Sequence, residues 1–143
     1  MKIPAQMDYL DNVLGMTEAY LETFECSPKI QYQIQVSIEE LFTNIASYAY
    51  DHEDGLVEIK CHSTMEKEEI HVWFTFSDWG IPYNPLDKTD PDFEIPFDER
   101  EIGGLGIYMV KKFMDHMEYH YVNGCNQFTI GKKLQGGSYG KTV

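Results

Sequence analysis

The sequence predicts an α+β protein: a two-layer sandwich with helices packed on one face of a mixed β-sheet. Three observations lead there. Two stretches in the first third, about 5–24 and 28–50, carry apolar residues at helical spacing. Two runs in the middle alternate apolar and polar side chains with the period of two that half-buried strands show. After a long aperiodic segment, a third helical pattern and two more alternating runs follow.

In the first stretch Leu10, Val13, Leu14, Met16, Tyr20 and Leu21 recur at helical spacing. Ser27-Pro28 then reads as a helix start, a hydroxyl cap followed by proline at the first helical position. The helix it opens is predicted to run to about Tyr50, with a stripe of Ile34, Ile38, Leu41, Ile45 and Tyr48. The polar run Asp51-His52-Glu53-Asp54-Gly55 breaks it.

Val57, Ile59 and Cys61 alternate with Glu58, Lys60 and His62, which makes the first strand and places Cys61 on its buried side. Ile70, Val72, Phe74 and Phe76 alternate with His71, Trp73, Thr75 and Ser77 in the second, and residues 65–69 form the hairpin turn between them. From Tyr83 to about Glu101 no period survives. A structureless loop of this length inside a small domain is usually functional or a lid. Gly103-Gly104-Leu105-Gly106 closes it and starts a helix with Val110, Phe113, Met114 and Met117 along one side. Strands around 117–122 and 127–134 complete the pattern. Residues 1–135 are expected to form a single domain and 136–143 a flexible Gly-rich tail.

The bulk numbers suit such a domain. With 143 residues, 43% hydrophobic and 14% aromatic, the chain carries enough apolar surface for one core. Its formal net charge of −13 repels phosphate backbones and argues against nonspecific nucleic-acid binding. The same acidity suits either solubility or a basic protein partner. Cys26, Cys61 and Cys125 are odd in number and form no CxxC, and no leader or apolar run of about 20 residues is present. A cytoplasmic protein with free thiols, away from membranes, is expected.

Three pieces carry chemistry. Glu40 and Asn44 lie four residues apart and share one helix face, about 100° from the apolar stripe, and Ser37, Ser47 and Asp51 extend that polar face. A Glu and an Asn so placed are ordinarily just solvated. Asp78 falls on the same face of its strand as Phe74 and Phe76, where a buried carboxylate needs a donor partner. The exocyclic amine of adenine is such a donor, whereas guanine presents an acceptor there. Gly80 lets a ring approach the backbone, and Pro82 fixes the exit of the chain. Gly103-Gly104-Leu105-Gly106 lies at a helix start, where outward-pointing amides and the helix dipole favour a phosphate, although such a run also serves as a hinge. Together, in this order and with a lid between the last two, the pieces are far more specific than any one.

Glu40-Leu41-Phe42-Thr43-Asn44 resembles the N box of the GHKL (histidine-kinase-like) ATPases, Asp78-Trp79-Gly80-Ile81-Pro82 their G1 box, and Gly103-Gly104-Leu105-Gly106 their G2 box. The resemblance spans Ser27 to Leu134, and the length with Glu-x-x-x-Asn is similar to the anti-sigma-factor serine kinases of the RsbW type. It implies ATP and Mg²⁺ as cofactors, with Asn44 offering its amide oxygen to the ion. It makes Glu40 the base for an attacking Ser or Thr hydroxyl, and Asp78, beside Gly80, the reader of adenine. Gly104 and Gly106, with the amides of Leu105 and Ile107, would hold phosphates. Arg100 is either a ligand of the terminal phosphate or a solvated lid residue. The implied function is an ATP-binding serine/threonine protein kinase that phosphorylates a small, STAS-like antagonist protein and binds a sigma factor or similar regulator, often as a homodimer. The alternatives are an ATP-gated binding module without kinase activity and an ATP hydrolase.

Two positions depart from the family pattern. Tyr48 stands four residues after Asn44, where relatives often have a basic residue or histidine. Gly124-Cys125-Asn126 stands where relatives often have Gly-Thr near the adenine, leaving Asn126 and Thr129 as alternative substitutes. Two decoys are set aside. Gly136–Thr142 lacks the first glycine and the following helix of a Walker P-loop. His116 and His120 have i,i+4 spacing but no third ligand and no HExxH.

Overall fold

The computed structural model of the protein describes residues 1–51, 53–87, 90–95 and 105–134. A short edge strand, β1 (Lys2–Pro4), precedes a 3₁₀ turn (Met7–Tyr9) and helix α1 (Leu10–Leu21). Helix α2 (Pro28–Asn44) continues into a π-helical turn, Ile45–Ala49. Strands β2 (Leu56–Glu66) and β3 (Glu69–Asp78) form a hairpin, then come a 3₁₀ turn (Pro85–Asp87), helix α3 (Leu105–Phe113), and strands β4 (His116–Val122) and β5 (Cys125–Leu134).

The local chemistry explains the boundaries. The Ser27 hydroxyl accepts a hydrogen bond from the Ile30 amide at 3.2 Å, and Pro28 occupies the first turn of α2, as the sequence predicts. The β2–β3 turn places Lys67 and Glu68 at φ of 52° and 65°, the left-handed pair that a two-residue hairpin turn needs. Asn123 and Gly124, at 53° and 77°, do the same between β4 and β5. That tight turn starts β5 at Cys125, two residues earlier than the alternation alone suggests, and so brings Asn126 into the sheet.

The strand order is β1-β2-β3-β5-β4. Every pairing is antiparallel, so the α+β sandwich has an antiparallel sheet where the sequence reading expected a mixed one. Direct hairpins join β2 to β3 and β4 to β5, which makes those pairs antiparallel. On one face Val57, Ile59, Val72, Phe74, Phe76 and Ile130 pack with Val13, Leu21, Ile34, Ile38 and Phe42 from the helices. The register sets Asp78 opposite Asn126 at the end of the β3–β5 ladder, beside the C-terminal end of α2.

Three further details differ from the sequence reading. Residues 2–4 are a strand that pairs with β2, and α1 begins only at Leu10. Ser37, expected on the polar face, is buried, and its hydroxyl donates to the Gln33 carbonyl of its own helix. Cys61 is half-buried with Sγ 3.5 Å from Met16 Sδ, and burial pushes its thiol up to about 11. Within the long loop, Asp90 accepts from Lys111 Nζ at 3.0 Å and Phe93 meets the Tyr108 ring edge-on at 5.1 Å, so residues 90–95 lie against α3.

Candidate functional site

The last turn of α2, the π-helical turn and the end of β3 enclose a cavity of about 380 Å³. Its walls are mainly apolar, with Leu41, Ile45, Phe76 and Phe128 among them, while Asn44, Asp78 and Asn126 supply polar atoms. A π-helical turn at this point lets the chain deviate from the helix before reaching the following loop, and such turns recur at functional sites.

Asp78 is 5% exposed. Its Oδ1 accepts from Gly80 N and from Asn126 Nδ2, both at 3.0 Å. Burial raises the affinity of this carboxyl for a proton, and the two hydrogen bonds offset the effect only in part. Among the described residues no donor reaches Oδ2, and Asp78 lines the cavity. A buried acceptor in an apolar cavity suits a flat ligand that carries a donor on its edge.

Gly80 is fixed by close approach. A β-carbon there would lie 2.0 Å from the carbonyl oxygen of Ala49, to which the next amide, Ile81 N, donates at 2.8 Å. Tyr50 adds a second tie: its hydroxyl accepts from Trp79 N at 2.9 Å and donates to the Leu56 carbonyl. The segment after β3 is thus sewn to the end of α2 and to the start of β2.

Glu40 lies one turn before Asn44 on α2, half-buried, and meets the start of α3. A β-carbon on Gly106 would lie 2.0 Å from Glu40 Oε2, so the carboxylate rests directly on the glycine. Burial first, and then the neighbouring Glu39 charge, raise its affinity for a proton. A carboxylate so perturbed is a better proton acceptor near neutral pH than an ordinary surface glutamate. Ile107 is buried in the core and Leu105 is partly exposed; Gly106 between them forms the contact with α2. Arg100 and Gly104 lie outside the described residues.

Tyr48 is exposed and lines the cavity, placing an aromatic ring where a basic side chain was the family expectation. Of the two candidates near the adenine position, Asn126 lines the cavity, whereas Thr129 pairs with Thr75 at 3.0 Å, away from it. Tyr83 and Tyr119 also line the cavity. Sequence reasoning gave Tyr83 no role and took Tyr119 for a packing residue. His116 and His120 both lie on β4: His116 packs beside Trp73, and His120 Nε2 lies 2.7 Å from Glu118 Oε1. Four residues along a strand separate them by about 13 Å.

Comparison with known proteins follows the same lines. The chain matches the family described as "Histidine kinase-like ATPase domain" over residues 3–132. It is 28% identical over 129 residues to the serine-protein kinase RsbW of Bacillus cereus, covering 87% of this chain and 78% of that protein. It is 22% identical over 105 residues to the serine/threonine-protein kinase BtrW of Bordetella bronchiseptica, covering 73% and 71%. Among solved structures, the histidine kinase domain from the Erythrobacter litoralis EL346 blue-light activated histidine kinase aligns with a TM-score of 0.49 at 13% identity, over 94% of this chain and 63% of that one. Matched over nearly its whole length, the chain belongs to the histidine kinase-like ATPase domain family.

Proposed function

We propose that this protein is an ATP-dependent serine/threonine protein kinase of regulatory type, acting in the cytoplasm on a small, STAS-like antagonist protein. In this reading it also binds a sigma factor or similar regulator, and a homodimer is the assembly to test for. The observation that carries the kinase reading is the Glu40 carboxylate, one helical turn from Asn44 and seated on Gly106. A pure binding module has no need of a half-buried base there. The names of the relatives, serine and serine/threonine kinases, support the same reading. No described helix is long and apolar enough to cross a membrane.

The residues fit the nucleotide. A cavity of about 380 Å³ with apolar walls accepts a purine, Asp78 offers it one carboxylate oxygen, and Gly80 keeps the chain against α2 beside it. ATP supplies the transferable phosphoryl group, and Mg²⁺ neutralises its charge. Asn44 contributes a neutral amide oxygen, which suits an ion that takes its other ligands from phosphates and water. Gly106, with the amides of Leu105 and Ile107 at the start of α3, would hold the phosphates together with Gly104, and Arg100 would pair with the terminal one. Glu40 takes the proton of the attacking hydroxyl, and its raised proton affinity makes that transfer more favourable.

The test incubates the protein and its Glu40→Gln variant with Mg²⁺, γ-labelled ATP and native cell extract. A kinase labels one small protein, and the variant loses that labelling by roughly 10²–10⁴-fold while still binding ATP. ATP binding with no labelled protein would replace the kinase by the binding module, and phosphate release without any partner would replace it by a hydrolase.

A further inference from the structure

Asn126 is 5% exposed, and its amide has no hydrogen-bonding capacity left over. Nδ2 donates to Asp78 Oδ1 at 3.0 Å and to the Ile81 carbonyl at 2.9 Å. Oδ1 accepts from Tyr83 N at 3.1 Å and from the Tyr119 hydroxyl. A side-chain amide offers two N–H donors and two acceptor lone pairs, and here all four are used. Its orientation is fixed by chemistry as well: the Ile81 carbonyl can only accept and the Tyr83 amide can only donate. Turning the amide over would set oxygen against oxygen and N–H against N–H.

Two consequences follow. Asn126 has nothing to offer a ligand in the cavity, although it lines the wall. It does control what Asp78 offers, because Oδ1 is held by Asn126 and Gly80 while Oδ2 receives no donor among the described residues. The same amide grips Ile81 and Tyr83, three and five residues beyond the end of β3. Carboxylate and segment are therefore tied to one side chain, itself held by register opposite Asp78 and by Tyr119 on β4.

We infer that Asn126 is a positioning residue that aims the second oxygen of Asp78 at the exocyclic amine of the purine and fixes Ile81 and Tyr83 beside it, without itself hydrogen-bonding the nucleotide. This rests on the ATP reading above. It also predicts that specificity for the 6-amino group depends on a residue that makes no hydrogen bond to the ligand.

The experiment compares the binding of ATP with that of purine riboside triphosphate, which lacks the 6-amino group. In the wild type the amine is worth roughly 10–100-fold in affinity, as for a hydrogen bond to a charged group. Asn126→Ala leaves the Gly80 amide as the only hydrogen bond to the carboxylate among the described residues, which loosens its aim, and the ratio between the two nucleotides falls to within a few-fold. Tyr119→Phe, which removes one donor to Asn126 Oδ1 while keeping the ring, lowers the ratio by a smaller factor and stands in should the alanine variant fail to fold. Asn126→Asp places a second acceptor against Asp78, so a shared proton is needed and its ATP affinity rises as pH falls, unlike that of the wild type.

An Asn126 that served only to satisfy buried groups would weaken both nucleotides equally. An unchanged ratio in Asn126→Ala and Tyr119→Phe, or a flat pH profile for Asn126→Asp, overturns the inference. A wild type that binds ATP but does not distinguish the two nucleotides removes the purine-reading role of Asp78 first, and the role of Asn126 with it. A wild type that binds neither removes the ATP reading itself.

Discussion

The Glu40 carboxylate rests on the α-carbon of Gly106, where a β-carbon would lie 2.0 Å from Oε2 and 2.7 Å from Cδ. The candidate base on α2 and the first turn of α3 are therefore held at a spacing that only glycine permits. Gly106→Ala is expected to displace the carboxylate rather than the helices, since the clash is with the end of a side chain. A shift of about 1 Å in a reacting group can cost on the order of 10²-fold in rate. Single-turnover label transfer should fall by roughly that factor, with ATP affinity changed only a few-fold. Unaltered transfer would reduce the contact to packing.

Gly80 meets backbone instead. A β-carbon there would lie 2.0 Å from the Ala49 oxygen and 2.6 Å from its carbonyl carbon, and neither can swing away. Gly80→Ala must part the segment after β3 from the end of α2, and with it the Ile81 N to Ala49 O hydrogen bond. Overpacking of about 1–3 kcal/mol and one lost bond of about 1 kcal/mol should lower the urea midpoint clearly. ATP affinity should drop as well, because the same segment carries the Gly80 amide bound to Asp78. A variant as stable as the wild type would mean that the loop relaxes freely.

Much of this was legible in the sequence because it rests on local chemistry. Ser27-Pro28 marked the start of α2, and the alternation through Phe74 and Phe76 put Asp78 indoors. What stayed hidden depends on partners distant in the chain. The three residues of β1 are too few to show a period, and they form a strand only because β2 offers an edge. Ser37 follows Ile34 by three residues and precedes Leu41 by four, so its spacing fits the buried stripe and only its polar side chain suggested otherwise; the Gln33 carbonyl of its own helix satisfies its hydroxyl. The π-helical turn after Asn44 leaves no mark on spacing. The contact between Asp78 and Asn126 spans 48 positions and follows from register, and the Asn123-Gly124 turn was the one local signal that could have set that register.

Tyr50 joins two segments through one oxygen, accepting from Trp79 N and donating to the Leu56 carbonyl. Tyr50→Phe keeps the ring and strips both bonds. Because the site is open to water, the cost should sit near the lower end for hydrogen bonds, about 1 kcal/mol. Thermal unfolding should show a loss of a few degrees, and hydrogen exchange at the Trp79 amide should speed up. Unchanged protection at Trp79 would show that the ring alone holds the segment.

Asp78 and Glu40 share a sign that can be read in stability. Burial raises the proton affinity of both, with the Glu39 charge adding to it at Glu40. A carboxyl that holds its proton more tightly in the folded state contributes stability that is fully present below its unfolded value, near pH 4, and lost as pH rises through the raised folded value. Glu69 has the opposite sign, because Lys133 lowers it, so its contribution is lost as pH falls. Comparing variant with wild type cancels that background. Asp78→Asn retains an acceptor for Asn126 and Gly80 and removes the buried charge. Without nucleotide it should match the wild type near pH 4 and exceed it in urea midpoint at pH 7. It should also bind ATP roughly 10–100-fold more weakly, having turned an acceptor into a donor in the cavity. A variant less stable than the wild type at pH 7 would instead make the Asp78 charge a net stabiliser of the fold, held by Asn126 for structure and not for the nucleotide.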